Sequence, residues 1–187
     1  MAAEERRDAS PDDEQLLRRA AAGEERAFAL LLRRHLPAVL ALAERLLGSR
    51  AEAEDVAQET FLRLWRKAPS WRADGPPLAA WLHRVALSQC HRAWRRLGRQ
   101  TEAPTAEPPD PAPLPPEQAQ RAEEARRLRA ALAELPLRQR AALALFYDQQ
   151  LGVREIAESL GIGVHAAESL LARARRRLAR RLSEEER

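Results

Sequence analysis

Along this chain apolar residues recur at steps of three and four, the period of a helix that buries one face. The segment from Ala53 to Ala68 shows it most sharply. Ala53, Ala57, Phe61, Leu64 and Ala68 make one stripe, an ordinary core face. Asp55, Gln58, Glu59, Leu62, Trp65 and Arg66 fall on a second stripe that mixes carboxylates and an amide with an aliphatic chain and an indole. A merely solvated face rarely carries Leu beside Trp, because both then leave apolar area in water. Large apolar anchors rimmed by polar groups are the make-up of a protein-binding hot spot. A broad helix that buries both faces would carry the same residues, and periodicity alone leaves the two readings open.

The elements around this helix follow from start and stop signals. Residues 1–9 have the composition of a disordered leader. Ser10-Pro11-Asp12-Asp13 predicts a helix start with Ser10 as N-cap, and Gly23 predicts its end. A second helix is expected from about Glu24 to His35, with Pro37 restarting the chain into a third over Val39–Leu47, closed by Gly48. Ser49-Arg50-Ala51-Glu52 has capping-box spacing and launches the two-faced helix, which Pro69 stops. Residues 68–77 read as a loop. Leu78 to about Leu97 reads as a long helix with Leu78, Trp81, Leu82, Val85 and Ala86 on its inner stripe.

Residues 98–118 break the pattern. Seven prolines fall between Pro104 and Pro116 among several acids, a composition that suits an extended spacer rather than a core. Beyond it Leu128, Leu132 and Leu135 predict a helical stripe, and Pro136 opens a helix running through Phe146 and Tyr147. Arg154-Glu155-Ile156-Ala157-Glu158-Ser159-Leu160-Gly161-Ile162 has helix-turn-helix spacing. Ala157 is small where two helices cross, Gly161 suits the left-handed turn, and Ile156, Leu160 and Ile162 close the corner. The next helix, from about Val164, takes the recognition position, where early residues approach base edges in the major groove. The predicted fold is therefore all-α: two small helical domains joined by a Pro-rich linker, the second containing the helix-turn-helix.

Composition sharpens this. Ala, Leu, Arg and Glu dominate the 187 residues, as an all-helical chain requires. Cys90 is the single cysteine, which excludes an intramolecular disulfide and fits a reducing cytoplasm. No apolar run long enough to span a membrane and no signal-peptide pattern occurs. The net charge of +4 conceals a division: residues 14–97 and 119–182 carry +6 each, while residues 98–118 carry −3. Basic blocks of this kind are the footprint of a polyanion partner, although solvated helices can be basic too. Ser88 to Arg96 interleaves His91, Arg92, Trp94, Arg95 and Arg96; aromatics stack on unpaired bases and Arg neutralises phosphate. A packed Trp with cations at a helix C-terminus would read the same way. Six Arg fall within residues 173–181, at the end of the recognition helix. The four His lack metal-ligand spacing, and no phosphate loop or nucleophile elbow is present, so neither a metal, a cofactor nor an enzymatic activity is expected.

The segment AEAEDVAQETFLRLW resembles the AEDxxQExFLRLW stretch of bacterial RNA polymerase sigma factors. The resemblance implies that Asp55, Gln58, Glu59, Leu62 and Trp65 dock on the clamp helices of the polymerase β′ subunit. The helix after residue 78 resembles the family's WLxRIAxNxxxDxxRR stretch, which implies that Arg84, Ser88, His91, Arg92, Trp94, Arg95 and Arg96 meet the −10 promoter element. Ser88 departs from the family's usual Asn there. Leu135 to Arg140, followed by EIAESLGIGVHAAESLLARARRRL, resembles the family's C-terminal domain, which binds the −35 element. That implies contacts from His165, Glu168, Ser169, Ala172, Arg173, Arg175 and Arg176, and docking on the polymerase β flap. Glu168, Leu170 and Ala166 depart from the usual basic residue, Arg and Thr. The two blocks span 10–97 and 119–182 with no further domain between them, which points to the extracytoplasmic-function group and implies an anti-sigma partner. The competing expectation is a free-standing helix-turn-helix regulator whose N-terminal helices form a sensor.

Overall fold

The computed structural model describes residues 11–72, 74–96 and 116–185. Every regular element among them is helical: α1 Asp13–Ala21, α2 Glu25–Leu47, α3 Arg50–Lys67, α4 Leu78–Arg96, α5 Pro116–Ala133, α6 Leu137–Tyr147, α7 Val153–Leu160 and α8 Val164–Glu185, with a 3-10 turn at Ala68–Ser70. The expected disorder of residues 1–9 and the extended spacer at 98–115 lie outside the described residues.

Local signals fix most boundaries, with four corrections. The N-cap of α1 is Asp12, whose carboxylate accepts from the Gln15 amide at 2.7 Å. Ser10 lies outside the described residues. The break expected at Pro37 does not occur, and α2 runs unbroken through it. Proline removes one helical hydrogen bond, but α2 buries Leu31, Val39, Leu42, Ala43 and Leu46 on both sides of it, and that shared face holds the axis together. The box at Ser49 is half made. Ser49 Oγ accepts from the Glu52 amide at 3.4 Å, whereas the Glu52 carboxylate reaches away to Arg96 at 2.8 Å. Finally, α5 takes in residues 116–118, expected in the spacer. Its Leu128 is 41 % exposed rather than part of a buried stripe; burial begins only at Ala131.

α1, α2, α3 and α4 form one bundle, in which α3 packs on α2 and α4 packs on both. Ala53, Ala57, Phe61, Leu64 and Ala68 are all buried there, as their period requires. α6, α7 and α8 form a second group around Leu145, Ile156, Leu160, Leu171 and Ala174. Gly48 and Gly161 take left-handed φ values of 67° and 65° at the ends of α2 and α7. The two groups do not stand apart. α4 lies along α7 and α2 touches α6, so buried residues of both halves belong to one contiguous cluster.

Candidate interaction surfaces

The first surface lies on α3. Its second stripe faces outward: Asp55, Gln58, Leu62, Trp65 and Arg66 are exposed and Glu59 is half-buried. Leu62 and Trp65 keep 42 % and 40 % of their surface in solvent, which rules out the reading of both as core. Trp65 meets Phe28 of α2 edge to face, ring centres 4.9 Å apart, so the indole has a fixed seat while one side stays open. Beside it an apolar groove runs between α2 and α3, walled by Phe28, Leu32, Leu36, Leu40, Phe61 and Leu62, with Glu25, Arg50, Glu54 and Gln58 at its rim. The α2 wall was not legible as a surface from the sequence. Glu59 bonds Arg63 at 2.8 Å, and that bond holds its carboxyl below the usual range. Asp55 and Gln58 are exposed, Gln58 at the rim of the groove.

The second surface is α4. Leu82, Ala86, Gln89 and Ala93 face its own bundle, while Ser88, His91, Arg92 and Arg95 are exposed. Arg96 is exposed but paired with Glu52. Arg84 and Trp94 are occupied. Arg84 Nη2 donates to the Glu158 carbonyl of α7 at 2.7 Å, and Trp94 carries the Arg140 guanidinium over its ring at 4.1 Å. Of the seven residues expected to act together on α4, the structure leaves four on an open face and ties three.

The third surface is α8. Ala167, Leu171 and Ala174 are buried, and the opposite side presents His165, Glu168, Ser169, Ala172, Arg173 and Arg176. Glu168 is not tied to Arg173 or Arg175. Its carboxylate meets His165 Nδ1 at 3.1 Å, one turn earlier. Arg173 Nε donates back to the Ser169 carbonyl at 3.1 Å. Arg175 turns away from that face and covers Phe146, 4.6 Å from its ring centre, and Tyr147. Val164, 43 % exposed at the first position of α8, joins this face although its apolar character alone did not mark it.

A further set of contacts joins the two groups of helices. His83 Nδ1 lies 3.2 Å from Ser159 Oγ, and burial pushes the His83 imidazole down to about 4, with His35 adding to the shift. Arg45 holds Asp148 through two bonds of 2.8 and 3.0 Å, and Gln149 donates to the Ala38 carbonyl at 2.9 Å. Arg140 is 5 % exposed; its Nε and Nη2 have no hydrogen-bond partner among the described residues, and burial lowers it to about 10. Cys90 beside it is fully buried, its thiol pushed up to about 12. The sequence does carry a trace of this seam. His83, Leu87, Cys90 and Trp94 form a second stripe on α4 at helical spacing, beside the one that was read. Among the described residues no helix is long and apolar enough to cross a membrane.

Comparison with known proteins identifies the family. Residues 31–100 match the Sigma-70 region 2 family and residues 125–178 match Sigma-70 region 4. The chain is 36 % identical over 156 residues to the ECF RNA polymerase sigma factor SigM of Mycobacterium tuberculosis, covering 83 % of this chain and 77 % of that protein. It is 33 % identical over 156 residues to SigE of Mycolicibacterium smegmatis, covering 79 % of this chain and 58 % of the relative. Two solved structures share the fold. CnrH, determined with the cytosolic domain of CnrY, has a TM-score of 0.67 and 31 % identity over 92 % of this chain and 97 % of its own. RpoE of Bartonella quintana, determined with the anti-sigma factor NepR, has a TM-score of 0.61 and 26 % identity over 83 % and 96 %. With both family segments matched in order and a relative of this identity covered over most of its length, the chain belongs to the extracytoplasmic-function group of RNA polymerase sigma factors, which give polymerase its promoter specificity.

Proposed function

We propose how this chain divides that work among its residues. Residues 10–97 form the domain that holds core polymerase and meets the −10 element, and residues 119–182 form the domain that reads the −35 element. Asp55, Gln58, Glu59, Leu62 and Trp65 are the polymerase contact. One observation carries this: Leu62 and Trp65 stand exposed beside an apolar groove, on a face whose remaining members are polar. Two apolar anchors held open by a core that does not need them are what a partner's helix requires. The β′ clamp helices are that partner. Ser88, His91, Arg92 and Arg95 with Trp94, Arg84 and Arg96 act on the −10 region. Stacking by Trp94 and phosphate neutralisation by the arginines suit an unpaired strand. His165, Glu168, Ser169, Ala172 and Arg173, with Arg176 behind them, face the −35 bases. The protein works in the cytoplasm and performs no catalysis of its own; the bond-making belongs to polymerase. Because CnrH and RpoE were solved with CnrY and NepR, an anti-sigma protein is the expected second partner.

The test is pull-down of core polymerase by wild-type and Trp65→Ala protein, followed by run-off transcription. An anchor indole at a desolvated contact costs about 2 kcal/mol or more when truncated, so core affinity should fall at least about thirtyfold. A folded Trp65→Ala protein that binds core at wild-type affinity removes Trp65 from the site.

A further inference from the structure

We propose that the cleft bordered by α4, the start of α6 and α8 is a binding site for a small polyanion that carries a flat ring, a nucleoside polyphosphate by chemical class. The inference goes beyond the division of labour proposed above. Trp94 and Arg95 on one wall belong to the −10 surface, but Arg177 and Arg181 on the other belong to no surface assigned so far.

The cleft encloses about 800 Å³, a size at which small-molecule sites are common. Half-buried Trp94 gives it an apolar wall together with Leu135, Pro136 and Leu137, and Arg95 of α4 and Arg177 and Arg181 of α8 stand around that wall. The one carboxylate in the lining, Glu134, is already paired with Arg181, which also reaches Glu184 at 3.3 Å. Arg95 and half-buried Arg177 have no carboxylate partner among the described residues. Two cations from different helices therefore face one cleft with nothing in the chain to answer them.

Two further observations point to an anion. α6 begins at the cleft with Pro136 as its N-cap, which supplies no side-chain acceptor, and no acid stands in its first turn. The positive end of that helix is left uncompensated, and such ends favour negative charge. Arg140, the fourth residue of α6, lies over the Trp94 ring with Nε and Nη2 unpaired. Lowered only to about 10, it stays charged at neutral pH. A buried cation without a counter-charge makes its surroundings attractive to an anion. The wall selects the rest of the ligand. A planar ring packs against indole, leucine and proline, while guanidinium groups match phosphate oxygens as a two-pronged donor. A nucleoside polyphosphate joins both features in one molecule.

The test is equilibrium dialysis of the full-length protein against labelled ATP in magnesium-free buffer, which should show one saturable site per chain. Labelled adenosine, the ring without the charge, should not be retained. Inorganic tripolyphosphate, the charge without the ring, should displace ATP about tenfold less well than ATP itself. Arg177→Ala and Arg95→Ala, on opposite walls, should each weaken ATP binding about tenfold, the loss of one charge-assisted hydrogen bond. Arg180→Ala removes the same charge from α8 outside the cleft lining and should change binding less than about twofold. Wild-type protein that retains no ATP at millimolar concentration overturns the site. So does an Arg180→Ala loss as large as that of Arg177→Ala, which would mean diffuse attraction to a basic helix. Tripolyphosphate that competes as well as ATP leaves the apolar wall without a role and overturns the nucleoside class.

Discussion

Glu168 and Trp65 were the two residues whose chemistry looked out of place, and the structure treats them differently. Trp65 rests edge-on against Phe28 and stays exposed, while Phe61 and Leu64 of the same helix are buried in the core. Glu168 pairs with fully exposed His165 rather than with an arginine. A solvated pair of this kind contributes little to stability, so nothing in the fold demands a carboxylate there. What remains is its position on the reading face. A carboxylate is repelled by phosphate, but it can accept a hydrogen bond from a cytosine amino group in the major groove. Selection of −35 sequences by holoenzyme carrying wild-type or Glu168→Ala protein should therefore show a preference lost at one base position, worth about 1–3 kcal/mol. Uniformly tighter binding with an unchanged consensus would mean that Glu168 only tunes charge. The identity of this face was legible from helical period; the His165 partner was not, since residues three apart on a helix can meet in either rotamer and only the coordinates choose.

At the scale of the element, α4 shows how one helix is divided among three duties. The Leu82, Ala86, Gln89 and Ala93 side builds the bundle, the His83, Leu87, Cys90 and Trp94 side meets α7 and α6, and the rest presents His91, Arg92 and Arg95. The last duty predicts a salt effect. Each phosphate contact on a single strand adds about 0.7 to the slope of log affinity against log salt. Replacing Arg92 and Arg95 by Ala should lower that slope by about 1.4 and weaken promoter opening, read by permanganate footprinting across a salt series with core polymerase saturating. Arg96 should contribute less than either, because Glu52 already holds it at 2.8 Å. An Arg96→Ala effect larger than that of Arg92→Ala would contradict this division. Element boundaries were read correctly where glycine or a side-chain cap marks them, as at Gly48, Ser49 and Gly161. At Pro37 the local breaker is outweighed by the buried face on either side of it.

For the whole molecule, the arrangement of the two groups ties stability to pH through His83. In the folded chain its imidazole sits near 4, against an ordinary value of 6.5, because burial disfavours the charged ring and His35, bonded to Asp13, adds repulsion. Above pH 6.5 the ring is neutral in the folded and the unfolded chain, and the fold has its full stability. Between pH 6.5 and 4 the unfolded chain takes up the proton and the folded chain resists it, so stability falls with pH, by on the order of 2–3 kcal/mol at the lower end. Urea unfolding at pH 7.5 and pH 5 should show a lower midpoint in acid, and His83→Gln should flatten that dependence. A midpoint that falls equally in both proteins would place the titration elsewhere. What the sequence by itself determined is everything that depends on neighbours along the chain: helical period, caps, the turn at Gly161, the basic blocks and the order of the two halves. These follow from φ/ψ preference and from which side chains one helix places on one face. What only the tertiary structure decided is which exposed face stays exposed. The α2 wall beside Trp65, the Arg140 guanidinium over the Trp94 ring and the Arg45–Asp148 fork each join residues far apart in the chain. Their contacts depend on how packed helices are set against one another, and a one-dimensional pattern carries no term for that.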